Sequence, residues 1–375
     1  MSERTFVPYV YFETQPASER CTDMHAQGWF LASPGKPLEQ RSFSLRDPMS
    51  DEIVVAVSAC GVCHTDLAYA DGSVTPSHAL PLILGHEIVG EVVAAGSRHA
   101  DLIGRTVLVP AVLPCGDCVF CRAGRGNACL GQKMPGNHID GGFATHVVVP
   151  GWAVLAVDNA AMRIDERELS VVADAVSTAY QAVRRAQLTK GGVALVVGVG
   201  GVGGYVVQIA HALGAHVVAC DVSAARLEQM AKYGADATVL VGDRTPKALR
   251  TEMHGAARAW GVPSLDWRIF ECSGTQTGQT LAFTLLAPAA TLVQVGFCAK
   301  PVELRFSNVM AFDATIHGSW GAPPDAYPEV MKLLLEGKIA ITPFVEHAPM
   351  SRVNETLAAM AKHGLERRVI LDPRH

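Results

Sequence analysis

From Val193 to Cys220 the chain reads VALVVGVGGVGGYVVQIAHALGAHVVAC, without one Lys, Arg, Asp or Glu. A run that long could cross a bilayer. But its glycines cluster in the first half and two histidines sit in the second, which suits a buried strand, a tight glycine turn and a buried helix better. The turn carries Gly198, Gly200 and Gly203 in a G-x-G-x-x-G arrangement, and the next strand, HVVACD, ends on Asp221. The bland reading is a packing turn with an aspartate helix cap. The ordered context of strand, glycine turn, helix, strand and acid favours a dinucleotide site. The glycines let backbone amides approach a pyrophosphate at a helix N-terminus. Asp221 can accept from ribose hydroxyls and would repel a 2′-phosphate, so NAD is expected over NADP.

The flanking sequence gives this unit a place. Across 184–325, VALVVG, HVVACD, ATVLVG, WRIFECSG and ATLVQVG alternate with helical patterns, the rhythm of a parallel doubly wound sheet. Residues 24–183 hold short β-type runs and turns instead, DEIVVAVSA, EIVGEVVAAG, RTVLVP and FATHVVVP among them, and suggest a barrel-like β domain. The tail, 326–375, reads as a helix, a second helix and a closing strand that returns to the first domain. Residues 1–23 read as an extension: they carry early charges and no apolar core of a secretory signal. With 49% apolar and 18% charged residues, a formal net charge of −5 and no long charged block, a soluble, cytoplasmic protein is expected, with neither nucleic acid nor membrane as its partner.

Four of the ten cysteines crowd into CGDCVFCRAGRGNAC. Cys115, Cys118, Cys121 and Cys129 have C-x2-C-x2-C-x7-C spacing, and short loops of this kind let four thiolates converge on a tetrahedral Zn(II). A disulfide framework suits a long chain without a secretion signal poorly. An iron–sulfur cluster also uses four cysteines, but at other spacings. A closed four-thiolate site stabilises a lobe and supplies no chemistry.

A second constellation is dispersed. Cys63, His64, Thr65 and Asp66 lie in ACGVCHTDL, His86 and Glu87 in LGHEIVGEV, and Asp174 in the apolar run VVADAVSTAY. Each alone has an ordinary reading, a small core thiol or a hydrogen-bonded histidine. A carboxylate in an apolar run is costly to bury unless it is paired or bound to a metal. Together Cys63, His86 and Asp174 would offer a thiolate, an imidazole and a carboxylate, and three protein ligands with an open fourth position are the pattern of a catalytic zinc.

In order along the chain, GVCHTD, GHE, CGDCVFCRAGRGNAC, DAVSTAY and GVGGVGG followed by Asp221 resemble the zinc-dependent medium-chain alcohol dehydrogenases over nearly the whole chain after residue 24. The resemblance implies a GroES-like β domain plus a Rossmann domain, with the active site in the cleft between them. It implies NAD and two zinc ions per chain. Cys63, His86 and Asp174 would hold the catalytic zinc, with Glu87 and Asp66 as nearby acids, and Cys115, Cys118, Cys121 and Cys129 the structural one. Thr65 would touch the reacting alcohol and start a proton relay. His64, Gly198, Gly200, Gly201, Val202, Gly203, Asp221, Arg226, Val295 and Arg368 would line the cofactor. A homodimer or homotetramer is a further implication. One position departs from the pattern: many members carry a histidine five residues after the first ligand cysteine, where this chain has Ala68.

The runs GVCHTDL, PAVLPCGDCVFCRAGRGNAC, MPGNHIDGGFATHVVVP and VVADAVSTAYQAV resemble more narrowly the 6-hydroxycyclohex-1-ene-1-carbonyl-CoA dehydrogenases. That implies a cyclic allylic alcohol carried as a CoA thioester, with Arg122, Arg125, Lys133 and His138 as weak candidates for its phosphates. Another cyclic or benzylic alcohol would fit the same motifs. So would a hydratase or lyase acting on an unsaturated acyl-CoA, which net NADH formation would distinguish. Asp221 makes one expectation measurable: NAD should be strongly preferred, and Asp221→Ser with an arginine introduced nearby should raise NADP use. Equal catalytic efficiency of the native enzyme with both cofactors would contradict the ribose reading.

Overall fold

The computed structural model describes residues 24–157, 164–362 and 364–374; the extension expected over 1–23 lies outside them. The first part is antiparallel β structure: β1 (His25–Leu31), β2 (Glu39–Ser44), β3 (Glu52–Gly61), β4 (Leu82–Ile83), β5 (Glu87–Ala95), β6 (Thr106–Val109), β7 (His146–Pro150) and β8 (Leu155–Ala156). The second part holds β9 (Val193–Val197), β10 (His216–Asp221), β11 (Ala237–Leu240), β12 (Trp267–Glu271), β13 (Thr291–Gln294) and β14 (Thr315–Gly318); β15 (Val345–Pro349) and β16 (Arg368–Asp372) close the chain.

Both expected bodies form. One sheet has the order β15-β16-β3-β5-β6-β8, with β7 also on β3, and β2-β1-β4 make a smaller sheet beside it. In β7 the pattern HVVVP alternates half-buried with buried, as a strand with one core face must. Register slips in β3 between Val54 and Val55 and between Val57 and Ala59 bend it as bulges do. The other sheet is parallel, in the order β11-β10-β9-β12-β13-β14. Its central strand β9, VALVV, is buried at every position, because helices cover both faces. Strand order reverses between β9 and β12, where a doubly wound sheet opens its binding crevice.

Six strands, β1, β2, β4, β8, β14 and β15, were not singled out in the sequence. In β14, Thr315, Ile316 and Gly318 are exposed, and β15 is the half-polar VEHAP; neither shows the apolar run that marks the central strands. The domain limit expected at 183/184 falls inside the helix Ala175–Ala186, a single hydrogen-bonded body. That helix shares one core with Ala194, Val196 and Ala219 of the parallel sheet, and with Ala59, Val89 and Leu108 of the antiparallel sheet.

The tail docks onto the same core. Tyr327 is 1% exposed; its hydroxyl donates to the Ala173 carbonyl at 2.6 Å and accepts from Ser177 Oγ at 3.3 Å. Ala173 ends the 3-10 run Glu166–Ala173, immediately before Asp174. Its carbonyl also accepts from Ala111 N, so Tyr327→Phe removes a bond without stranding the acceptor. The expected loss is about 1 kcal/mol, read as a lower urea midpoint at unchanged slope.

Candidate active site

Strand register brings the site together. Antiparallel pairing of β3 with β5 sets Gly61 opposite Glu87. A Cβ on Gly61 would collide with Glu87 Oε2, so only glycine leaves room for that carboxylate. Pairing of β16 with β3 sets Ile370 opposite Gly61, which lands Arg368 beside Val62 and Cys63. Arg368 Nη1 donates to Glu87 Oε1 at 2.5 Å and to the Val62 carbonyl at 3.3 Å. Cys63 caps the helix His64–Asp71, and its N–H donates to Asp66 Oδ2 at 2.9 Å. Asp174 stands at the joint between the 3-10 run and the helix Ala175–Ala186.

One ligand atom each from Cys63, His86, Glu87 and Asp174 lies within 4.8 Å of the others. Cys63 Sγ is 3.8 Å from Asp174 Oδ2, and His86 Nε2 is 3.5 Å from the same oxygen. Asp66 Oδ1 accepts from Gly85 N at 3.0 Å and lies 3.3 Å from His86 Nδ1, the arrangement that orients a ligating imidazole through its other nitrogen. Thr178 Oγ1 donates to Asp174 Oδ1 at 2.6 Å, which leaves Oδ2 facing Cys63 and His86. Thr65 Oγ1 is 3.8 Å from Cys63 Sγ.

The charges of this pocket ask for a cation. Burial disfavours charge on His86, yet Asp66, Asp174 and Cys63 raise its pKa well above the ordinary value. Burial also works against ionised Asp174, but His86, the Thr178 hydroxyl and Arg368 hold it down at about 2. Burial pushes Glu87 up to about 7 in spite of the Arg368 guanidinium. Both ring nitrogens of His86 and Glu87 Oε2 are buried without a hydrogen-bond partner among the described residues. A thiol, an imidazole and carboxylates with unmatched lone pairs suit Zn(II).

The four-cysteine lobe fits a closed site. Cys118 Sγ lies 3.5 Å from Cys121 Sγ and 3.6 Å from Cys129 Sγ, and Cys115 Sγ lies 3.9 Å from Cys121 Sγ. A tetrahedron with zinc–sulfur arms of about 2.3 Å has edges of about 3.8 Å. The backbone amides of Asp117 and Cys118 hold the Cys115 thiol down at about 6, while burial raises Cys121 to about 12. Every cysteine among the described residues is free of disulfide bonds.

The glycine turn follows β9. A Cβ on Gly203 would collide with the Gly198 carbonyl, which explains the close approach of helix to strand. Asp221 is 6% exposed; its Oδ2 accepts from Val199 N at 2.8 Å and its Oδ1 from Ser223 N at 2.9 Å. It shapes the turn and still has lone pairs for a ribose. Arg368 reaches the turn as well, its Nη2 lying 2.7 Å from where a Gly201 Cβ would stand. Val202 caps the helix Gly203–Ala212, and Val295 is half-buried just after β13. Arg226 donates to the Leu365 carbonyl at 3.1 Å, clasping the tail. His64 is exposed at the start of its helix.

Some residues escaped sequence reading. Glu271, fully buried at the end of β12, accepts from Ser273 N, Gly274 N and Gln294 Nε2 and so braces the loops beside the crevice. Thr178 and Tyr327 were also missed; the i, i+4 spacing of Asp174 and Thr178 on a helix was the available signal. Of the basic groups considered for a CoA phosphate, Arg122 pairs with Asp117 at 2.9 Å, and His138 Nδ1 accepts from Met134 N at 3.2 Å. The Arg125 side chain has neither kind of partner among the described residues.

Comparison with known proteins agrees with this geometry. Residues 49–159 match the alcohol dehydrogenase GroES-like domain and residues 201–336 the zinc-binding dehydrogenase family. The chain is 32% identical over 311 residues to L-galactonate-5-dehydrogenase of Escherichia coli (strain K12), covering 82% of this chain and 88% of that protein. It is 29% identical over 323 residues to an alcohol dehydrogenase of Geobacillus stearothermophilus, covering 85% and 91%. Among solved structures, the alcohol dehydrogenase of Aeropyrum pernix superposes with a TM-score of 0.82 at 27% identity, over 92% of this chain and all of that one. With its cation-demanding pocket, its four-cysteine lobe and these relatives, the chain belongs to the zinc-dependent medium-chain alcohol dehydrogenases, oxidoreductases of CH–OH groups.

Proposed function

We propose that this protein oxidises a secondary alcohol to a ketone with NAD, using Cys63, His86 and Asp174 as the catalytic zinc ligands and Cys115, Cys118, Cys121 and Cys129 as the structural set. The convergence of Cys63, His86, Glu87 and Asp174 within 4.8 Å carries the reading. A Zn(II) ion in the first set would supply Lewis acidity and lower the pKa of an alcohol.

The chain's own groups do the rest. Thr65, beside Cys63, is placed to take the alcohol proton. With Ala68 where many relatives have a histidine, that proton leaves by ribose hydroxyls, water or another histidine. The helix N-terminus after Gly203 and the Arg368 guanidinium receive a pyrophosphate, and Asp221 receives the adenosine ribose. Asp66 holds His86 in orientation, and Thr178 holds Asp174. Glu87, whose Oε2 is not engaged by Arg368, can approach the same centre.

Within this class, the finer reading is a cyclic allylic alcohol borne as a CoA thioester. It is supported by the runs GVCHTDL, MPGNHIDGGFATHVVVP and VVADAVSTAYQAV and by the unpaired Arg125 on the four-cysteine lobe.

Two measurements test these assignments. In Asp174→Ala, metal analysis should find one of two zinc ions per chain lost and turnover nearly abolished, with thermal unfolding and NAD binding retained. Two zinc ions in the folded variant would remove Asp174 as a necessary ligand and turn attention to Glu87. For the substrate, an NAD-linked screen should favour the CoA thioester over the free alcohol in kcat/KM; equal rates would remove the CoA moiety and leave the dehydrogenase standing.

A further inference from the structure

The helix Ala175–Ala186 begins on a proposed metal ligand, and its first turn decides which oxygen of that ligand is free. Asp174 caps the helix with φ −137° and ψ −66°. The peptide groups on both sides of it are held. The Ala173 carbonyl accepts from the Tyr327 hydroxyl and from Ala111 N. The Asp174 carbonyl accepts from Thr178 N at 2.7 Å and from Ser177 Oγ at 3.1 Å. These bonds fix the backbone, so the aim of the carboxylate is set by side-chain contacts.

A helical threonine hydroxyl ordinarily bonds a carbonyl three or four residues back. For Thr178 the carbonyl four residues back is that of Asp174, which already takes two donors. The hydroxyl turns to the side chain instead and donates to Asp174 Oδ1 at 2.6 Å. Thr178 is buried, so the bond is shielded from water. Oδ2 is left 3.8 Å from Cys63 Sγ and 3.5 Å from His86 Nε2. The two oxygens thus point to different tasks. A carboxylate can give a metal one oxygen or both. Giving both would crowd the position where a catalytic zinc takes its substrate. A hydroxyl bonded to a carboxylate is charge-assisted and competes with the metal for Oδ1.

We propose that Thr178 keeps the fourth position of the catalytic ion open by holding Asp174 to a single ligating oxygen. This rests on the reading of Cys63, His86 and Asp174 as the ligands. Thr178 is a positioning residue, because it acts through Asp174. Valine at position 178 keeps the branched shape and loses the donor, which frees Oδ1 to turn to the ion. Serine keeps the donor.

The test is the visible spectrum of the protein with Co(II) in place of both zinc ions. The four-cysteine site contributes equally in every variant and cancels in the difference. Thr178→Val should keep both ions and NAD binding, yet change the ligand-field bands, because a second carboxylate oxygen has joined the ion. Imidazole, which enters an open position, should bind it about tenfold more weakly, and kcat should fall about 10–100-fold. Thr178→Ser should retain the native spectrum, imidazole affinity and turnover. Thr178→Ala serves in the same way if the valine variant does not fold. A native spectrum and native imidazole affinity without the hydroxyl overturn the proposal. So does loss of the ion, which would make the hydroxyl a support for metal binding rather than a limit on its oxygens. Asp174→Ala separates this from failure of the ligand reading. If it keeps both ions, Asp174 is not a ligand and both ideas fall. If it loses one while Thr178→Val is unchanged, the ligand stands and only the role of Thr178 falls.

Discussion

Glu87 and Arg368 form an ion pair at 2.5 Å with side chains 0% and 8% exposed. Such a pair is retained only with close geometry and further hydrogen bonds, and removing one partner typically costs about 3–5 kcal/mol because the other charge is stranded. Here the bonds are supplied from three directions. Gly61 makes room for the carboxylate, Val62 accepts from the guanidinium, and β16 carries Arg368 in from the far end of the chain. The guanidinium then abuts the glycine turn at Gly201. One buried contact thereby fixes the final strand, the approach to the metal-ligand cluster and the distance to the cofactor turn.

The sequence disclosed those parts whose chemistry is local. The four cysteines lie within one short loop, and their spacing alone foretells convergence. The glycine turn was legible because glycines, strand, helix and Asp221 follow one another directly. Cys63, His86 and Asp174 are far apart in the chain, and no periodicity joins them; the order of the motifs and the resemblance they carry did so. What stayed hidden depends on register. That Arg368 meets Glu87 follows from Ile370 pairing with Gly61, and nothing local in ERRVILD announces it. Strand β14 was invisible because its edge position relieves it of the apolar pattern.

Polar groups divide the molecule into regions of opposite demand. Around His86 the surplus is of acids and a thiol, which burial makes costly unless a cation arrives. At the other end of the helix Ala175–Ala186 the groups are basic, Arg184 and Arg185. The helix Ala175–Ala186 touches both regions, with Asp174 at its N-terminal joint and Arg185 in its last turn. The cation at its C-terminal end also suits the helix dipole.

That helix has a mechanical consequence. Its apolar face is buried in a core that takes in β9 and the helix Gly203–Ala212 on one side and Ala59, Val89 and Leu108 of the antiparallel sheet on the other, and Cys63 and His86 flank strands of that sheet. The proposed ligands are thus tied into one continuous core. Any shift within that core would alter the 3.8 Å separation of Cys63 Sγ and Asp174 Oδ2. Packing strain anywhere around the helix would therefore be felt in the spacing of these two atoms.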